Sequence, residues 1–183
     1  MVQRVFESVS MRYDLMNDLM SVGIHRAWKR SLMNELAPIP GMRLLDVACG
    51  TGDIALRFLA CGGGHVLACD QNKKMIDVGR ARAINKGVLS GIQWVVGDAE
   101  SLPLADASVD AYTIAFGLRN VAQIELALAE ALRVLEPGGR FLCLEFAPSV
   151  APWLAPLYEL YSFAALPALG ACVTGDRDAY KYL

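Results

Sequence analysis

The chain has 183 residues, of which 55% are hydrophobic and 20% charged, so it is long and apolar enough for one domain with a sizeable core. Its 17 basic and 19 acidic side chains give a net charge of −2, which argues against a nucleic-acid partner. Five cysteines without a C-x-x-C pair favour free thiols over a disulfide framework, and only two histidines argue against a metal site.

The sequence as far as residue 146 predicts strands that alternate with helices. A helical region at 2–37 ends at a break that contains Pro38, Pro40 and Gly41. The elements after the break are a strand at 43–48, a helix at 54–60 capped by 62–64, a strand at 65–69, a helix at 73–85, strands at 92–96 and 111–116, a helix at 124–135 ended by Pro137-Gly138-Gly139, and a strand at 140–146. This order predicts an α/β fold with an open, doubly wound parallel sheet and a ligand site at the carboxyl ends of the strands.

The stretch 141–173 is the most apolar part of the chain. Glu145, Glu159 and four prolines interrupt it, whereas a membrane-spanning helix needs about 20 uninterrupted apolar residues. We therefore expect helical pieces that pack on the domain, and contact with a membrane surface stays open.

Two glycines lie in the loop between the first strand and the helix that follows it. Gly50 and Gly52 permit a tight turn and a close approach of a ligand to the backbone. The spacing Gly50-x-Gly52-x-x-Ala55 also fits the dinucleotide-binding fingerprint. A glycine turn that binds nothing remains an alternative at this point.

Acidic side chains lie at the ends of three successive strands. Asp46 is near the end of the first, Asp70 ends the second, and Asp98 follows the third. A carboxylate at 70 accepts hydrogen bonds from ribose hydroxyls, at about 1.5–3 kcal/mol each. One at 98 suits an adenine amine, and one at 46 suits the cationic or amino end of a ligand. Any one of them alone fits a loop residue or helix cap better, but the three together indicate an adenosine site.

This pattern resembles the class I S-adenosylmethionine-dependent methyltransferases, whose loop usually reads Asp/Glu-x-Gly-x-Gly-x-Gly. Ala48 stands here in place of the first glycine, and we expect the loop to tolerate the additional methyl group. Asp46 just before the loop is unfavourable for a pyrophosphate and favourable for a sulfonium-bearing amino acid.

Longer strings resemble one subfamily, the C-methyltransferases of ubiquinone and menaquinone biosynthesis, and are closest to its benzoquinol-methylating members. The strings are VFESVSMRYDLMNDLMSVGIHRAWK at 5–29, LLDVACGTGDIA at 44–55, GDAESLPL at 97–104, YTIAFGLRNV at 112–121, RVLEPGGRFLCLEF at 133–146 and YELYSFAALPALG at 158–170. The resemblance implies a Rossmann-like fold and C-methylation of a polyprenylated benzoquinol with S-adenosylmethionine as cofactor. Thr51, Asp70, Asp98 and Ala99 match the family's cofactor-binding positions, while Ala115 replaces a serine and is not carried over.

The positions of four further residues make them candidates for the acceptor side of the reaction that the resemblance implies. Arg119 and Asn120 follow the fourth predicted strand, where the crevice opens, and Tyr13 and Asp14 lie in the N-terminal helical region. Arg119 is a permanent cation, so it can stabilise a phenolate or hold a water but cannot act as an ordinary base. Pairing of Arg119 with a carboxylate, and simple packing of Tyr13, are the alternatives.

The interpretation is a single methyltransferase domain over 1–183. It comprises an N-terminal helical substrate-side segment at 1–40, a cofactor-binding core at 41–146 and a helical lid segment at 147–183. Family members continue for roughly 60 residues beyond this point. We therefore expect the C-terminal strand pair of the fold to be missing and one edge of the fifth strand to be uncovered.

The implied partners are the quinol substrate, a membrane surface to which the protein binds peripherally, and other quinone-biosynthesis proteins. The oligomeric state stays an open question. The implied location is the matrix side of the mitochondrial inner membrane or, alternatively, the bacterial cytoplasm and inner membrane face. Three other functions remain: a demethylmenaquinol or demethylphylloquinol methyltransferase, an NAD-dependent oxidoreductase, and a non-catalytic component of a quinone-synthesis complex.

Overall fold

The computed structural model describes residues 24–145, and one compact unit, Lys29–Glu145, contains a five-stranded sheet. The elements in chain order are α1 (Ile24–Leu36), β1 (Arg43–Val47), α2 (Asp53–Ala60), β2 (His65–Asp70), α3 (Lys73–Asn85), β3 (Ile92–Val96), β4 (Val109–Ala115), a 3-10 helix (Leu118–Asn120), α4 (Ile124–Val134) and β5 (Leu135–Leu144). All four strand pairs are parallel, in the order β3-β2-β1-β4-β5. This confirms the predicted doubly wound α/β fold.

The order of the strands creates a switch point between β1 and β4. From β1 the chain moves outward to β2 and β3, and then returns to the other side of β1 to form β4 and β5. Connections on the two sides of a switch point diverge, which leaves a crevice beyond the carboxyl ends of the central strands. The sequence segments singled out as ligand-binding all follow these carboxyl ends.

The core lies on both faces of β1. Leu44 faces a cluster that includes Leu36 and Phe58 from α1 and α2, and the neighbouring Leu45 faces a cluster that includes Ala131 from α4. Both leucines are at most 1% exposed, because successive side chains of a strand point to opposite faces and helices cover each face. Continuous burial explains why the strand has an apolar run rather than an alternating pattern.

Several boundaries differ from those predicted. β1 ends at Val47 and β4 at Ala115, each one residue early, because Ala48 and Phe116 turn into the left-handed region with φ of 52° and 57°. The predicted cap after α2 is confirmed, since Gly62 has a φ of 88° and its N–H donates to the carbonyl of Leu59.

The last strand begins five residues earlier than predicted. α4 ends at Val134, and Leu135 already pairs with Val109, after which the register shifts before Ala111 pairs with Arg140. The prediction that the Pro-Gly-Gly sequence merely ends the helix was therefore wrong: it forms an irregularity inside β5, where Gly138 has a φ of 85°.

Between residues 24 and 145, β5 pairs only with β4 and forms one edge of the sheet. No helix in this part of the chain combines the length and the apolar character needed to cross a membrane. The predicted helix before residue 24, the end of the fifth strand at Phe146 and the segment at 147–183 lie outside the described residues, and the division of the chain into three segments stays a prediction.

Candidate functional site

The loop between β1 and α2 curls because three of its residues adopt left-handed backbone angles. These are Ala48, Gly50 and Gly52, with φ of 52°, 55° and 75°. A Cβ on Gly52 would lie 2.3 Å from the indole ring of Trp94 on β3, so only glycine fits there. The loop therefore rests directly on an aromatic side chain of the sheet.

Ala48, the departure from the family's glycine pattern, is accommodated by a second glycine across the crevice. A Cβ on Gly117, which follows β4, would lie 2.4 Å from the Cβ of Ala48. The missing side chain at Gly117 thus leaves the space that the methyl group of Ala48 occupies. The two loops on either side of the switch point touch at this place.

The carboxylate of Asp70 fixes the loops at the end of β2. Its Oδ2 accepts a hydrogen bond from the N–H of Gly50, and its Oδ1 accepts one from the N–H of Asn72, both at 2.8 Å. Burial raises the pKa of Asp70, and the two backbone N–H groups offset part of that effect. Each carboxylate oxygen accepts more than one hydrogen bond, so Asp70 retains capacity for ligand hydroxyls.

Asp46 is a buried acid in the middle of the sheet. It is 1% exposed, and its Oδ1 accepts a hydrogen bond of 2.9 Å from the hydroxyl of Thr113, the residue opposite it on β4. Burial raises the pKa of Asp46 to about 7, although Thr113 and the Ala55 amide oppose the rise. Among the described residues, Oδ2 accepts no hydrogen bond of ordinary geometry. An orphaned buried oxygen of this kind has a strong preference for a donor or a cation.

The charges of the three strand-end acids all act on the thiol of Cys69 on β2. Burial and then the negative charges of Asp70, Asp46 and Asp98 raise the pKa of Cys69 to about 12. The three acids lie on three adjacent strands of the sheet or directly after them. The structure therefore brings the predicted acids together at one edge, where they create a region of negative potential that attracts a cation.

Asp98 and Ala99 form a tight turn after β3. Asp98 Oδ1 accepts a hydrogen bond of 2.9 Å from the N–H of Glu100, and Asp98 bridges to Ser101 through the backbone. Ala99 is 7% exposed and packs into the core on the α4 face. The turn leaves the carboxylate of Asp98 half-buried directly after β3.

Thr51 belongs to a charged cluster that the sequence alone did not indicate. Its hydroxyl accepts a hydrogen bond of 3.1 Å from Arg82, while Asp53 pairs with Lys29 at 2.9 Å and with Arg57 at 3.2 Å. Burial raises the pKa of Asp53, but these cations outweigh it and lower the value to about 2. The cluster fixes the first turn of α2 behind the glycine loop.

On the acceptor side, Arg119 lies in the 3-10 helix after β4 and pairs with Glu145, which follows β5. Its Nη1 is 2.5 Å from Oε1 of Glu145, and its backbone N–H donates to Oε2 at 3.3 Å. The alternative that Arg119 pairs with a carboxylate is therefore what the structure contains. Asn120 is exposed, and Tyr13 lies outside the described residues.

The residues that sequence reasoning missed are partners of those it found. Thr113 meets Asp46 because of the register between β1 and β4, and Trp94 meets the glycine loop because of where β3 lies in the sheet. The spacing of residues in the sequence reveals neither contact. Asp53 had a signal, because an acid in the first turn of a helix is a common stabilising feature. No cluster of three or more metal-ligating side chains occurs within residues 24–145.

Comparisons with known proteins agree with this geometry. The whole chain, residues 1–183, matches the ubiE/COQ5 methyltransferase family. It is 58% identical over 186 residues to the "Ubiquinone/menaquinone biosynthesis C-methyltransferase UbiE" of Methylobacterium nodulans, with 100% of this chain and 73% of that protein covered. It is 47% identical over 217 residues to the human "2-methoxy-6-polyprenyl-1,4-benzoquinol methylase, mitochondrial", with 100% and 66% covered.

The solved structures that resemble this chain include an S-adenosylmethionine-dependent methyltransferase from Mesorhizobium loti. The TM-score is 0.56 at 27% identity, and 62% of this chain and 51% of that chain are covered. The chain spans about two thirds of the length of its mitochondrial relatives. The predicted resemblance and the Rossmann-like fold of methyltransferases that use S-adenosylmethionine are thereby confirmed, and the chain belongs to the ubiE/COQ5 methyltransferase family.

Proposed function

We propose that this chain methylates a ring carbon of a polyprenylated benzoquinol in ubiquinone biosynthesis, with S-adenosylmethionine as the methyl donor. The observation that carries the proposal is the buried Asp46, whose Oδ2 makes no hydrogen bond of ordinary geometry among the described residues and which comes just before the glycine loop in the chain. An anionic ligand is unfavourable beside this acid, whereas a ligand with an ammonium and a sulfonium group stabilises its charged form.

The residues present fit a nucleoside that is joined to a cationic amino acid. Asp70 would accept hydrogen bonds from the ribose hydroxyls, Asp98 and Ala99 would hold the adenine, and the charge of Asp46 would favour the cationic end. The left-handed turns at Gly50 and Gly52 let the backbone approach the ligand beside Thr51. When bound, S-adenosylmethionine supplies a methyl group on a positively charged sulfur.

The acceptor has to be the reduced quinol, because ionisation of a ring hydroxyl makes the neighbouring carbon nucleophilic. Arg119 stabilises that phenolate or holds the water that accepts its proton, and Asn120 binds a ring oxygen. The pair with Glu145 fixes the direction of the guanidinium group. Tyr13 is the third acceptor-side candidate. Alignment of the carbon with the methyl group supplies about 7–11 kcal/mol in well-oriented reactions.

In this proposal, the cellular location of the protein follows from the chemistry of its substrate. A polyprenyl quinol resides in a bilayer, so the protein binds a membrane surface peripherally. The relatives are mitochondrial and bacterial, which supports the matrix side of the mitochondrial inner membrane or the bacterial inner membrane face. A demethylmenaquinol is the second candidate substrate, since the bacterial relative is named for both pathways.

The test is methyl transfer from labelled S-adenosylmethionine to short-chain benzoquinol and naphthoquinol acceptors under reducing conditions, with binding of the donor and of NADH measured by calorimetry. We expect transfer to the benzoquinol and binding of the donor but not of NADH. Asp70→Ala abolishes binding and turnover, whereas Arg119→Ala retains binding and loses turnover. Arg30→Ala, which removes an exposed arginine of α1, is the matched control.

Each other outcome contradicts a defined part of the proposal. Binding of NADH in place of the methyl donor supports an oxidoreductase. Donor binding without turnover on either acceptor supports a non-catalytic component of a quinone-synthesis complex. Methyl transfer to the naphthoquinol alone contradicts the proposed benzoquinol substrate but still supports methyl transfer from S-adenosylmethionine.

A further inference from the structure

The segment at 117–123 connects β4 to α4 and contains both Arg119 and Asn120. Two glutamates from other parts of the chain hold it, one on each side. Glu145, after β5, binds Arg119 directly. Glu100, after β3, binds the last residues of the segment through their backbone.

The carboxylate of Glu100 accepts two backbone hydrogen bonds at the start of α4. Its Oε1 accepts from the N–H of Ala122 at 3.0 Å and from the N–H of Gln123 at 2.9 Å. Gln123 is the N-cap residue of α4 and makes no side-chain cap of its own, so Glu100 supplies from a distant loop the anion that a helix N-terminus favours. The contact fixes the point at which the acceptor-side segment joins α4.

The position of Glu100 depends in turn on Asp98. The N–H of Glu100 donates to Oδ1 of Asp98 at 2.9 Å, which closes the turn that presents Ala99. The turn assigned to the adenine and the segment assigned to the acceptor are therefore joined by one residue, through its backbone on one side and its carboxylate on the other.

The opposite end of α4 is bound to the same loop. The carboxylate of Glu130 accepts a hydrogen bond of 2.7 Å from the N–H of Leu102, and Arg133 donates hydrogen bonds to the carbonyls of Leu102 and Leu104. The loop after β3 therefore holds α4 at both ends. Loss of Glu100 frees only the N-terminal end.

We propose that Glu100 is a positioning residue that couples the methyl-donor turn at Asp98 to the acceptor-side segment carrying Arg119 and Asn120. This inference rests on the proposed function, since it assigns the two coupled sites as donor and acceptor. Its role is to place the acceptor-side groups, whereas the donor is held by Asp70, Asp46 and the glycine loop.

The test compares Glu100→Ala and Glu100→Gln with Glu125→Ala, in which an exposed glutamate on the first turn of α4 is removed as the matched control. We expect Glu100→Ala to lower kcat with the benzoquinol about tenfold, with the Kd for S-adenosylhomocysteine changed less than twofold. The glutamine variant retains an oxygen acceptor for both N–H groups and recovers kcat to within about threefold of the unmodified chain.

Amide hydrogen exchange of the segment at 117–123 provides a readout that does not depend on turnover. We expect S-adenosylhomocysteine to slow exchange in this segment in the unmodified chain and in Glu125→Ala, and to have no such effect in Glu100→Ala. If the unmodified chain binds the ligand but transfers no methyl group, the proposed function fails while this experiment still decides whether the two sites are coupled.

Three results overturn the inference. One is a kcat of Glu100→Ala equal to that of the unmodified chain together with a lower Tm, which assigns Glu100 to stability alone. Another is a loss of S-adenosylhomocysteine affinity equal to the loss of kcat, which makes Glu100 a donor-binding residue. The third is ligand-dependent protection of 117–123 that persists in Glu100→Ala.

Discussion

Replacement of Asp46 by asparagine should stabilise the ligand-free protein at alkaline pH and weaken its binding of the methyl donor. Asp46 is fully buried, its Oδ1 accepts a hydrogen bond from Thr113, and its Oδ2 accepts none of ordinary geometry in the described part of the chain. Asparagine keeps an oxygen acceptor for Thr113 but carries no charge, so Asp46→Asn removes the unfavourable burial of the carboxylate.

The magnitude follows from the pKa of Asp46, which rises from 3.8 to about 7 on folding. One pKa unit corresponds to about 1.4 kcal/mol, so the ionised acid lowers the free energy of unfolding by about 4 kcal/mol above pH 7. A raised pKa in the folded state means that the unfolded chain binds fewer protons between these two values. Stability therefore falls as the pH rises from 4 to 7 and is level above it, and about 2–3 kcal/mol of the loss lies between pH 5 and 8.

The assay is urea unfolding of the unmodified chain and of Asp46→Asn at pH 5 and pH 8. We expect the free energy of unfolding of the variant to exceed that of the unmodified chain at pH 8 by about 1–3 kcal/mol, because its buried amide N–H₂ offsets part of the gain. The difference should shrink or reverse at pH 5. Asp106→Asn, at an exposed acid, is the control. Equal pH dependence in the unmodified chain and in Asp46→Asn would refute the reasoning.

Three further predictions concern the loops and the charged cluster. Gly117→Ala should lower the free energy of unfolding by about 1–3 kcal/mol, because the added Cβ meets the Cβ of Ala48. The double variant with Ala48→Gly should recover most of this loss. Additive losses for the two substitutions in urea unfolding would contradict the contact. Asp70→Asn should weaken S-adenosylhomocysteine binding by about 10- to 100-fold in calorimetry, since the amide accepts at one oxygen only, whereas Asp77→Asn on the exposed side of α3 should leave it unchanged. Lys29→Met should lower the free energy of unfolding by about 3 kcal/mol at pH 7. Because the pKa of Asp53 is lowered to about 2, its stabilising contribution is present above pH 4 and lost as the pH falls toward 2. The effect of Lys29→Met on urea unfolding should vanish over that range, and a constant difference would exclude the ion pair as its cause.

The fold was predictable because its signals are local. Short, mostly apolar runs between loop residues located β1, β2 and β3 within one residue of their observed bounds. The boundaries that failed have a different cause. Ala48 and Phe116 adopt positive φ although neither is glycine, and the Pro-Gly-Gly sequence lies inside a strand because β4 accepts it as an irregularity.

The candidate site was predictable where a residue's place in its own strand defines its role. Asp70 and Asp98 were singled out because one ends a predicted strand and the other follows the next strand along the chain. Thr113 was not found, since it meets Asp46 only through the register of two strands that are 67 residues apart in the sequence. The ion pair of Arg119 with Glu145 likewise depends on the parallel alignment of β4 and β5.

The position of Trp94 has a practical consequence. Its indole fills the space next to Gly52 in the glycine loop and next to Gly79 on α3, since a Cβ on either glycine would lie within 2.5 Å of the ring. Any ligand that orders the loop alters the surroundings of this ring. With Trp28 and Trp153 replaced by phenylalanine, the one remaining tryptophan reports occupancy of the loop by its emission when it is excited selectively, without any attached label.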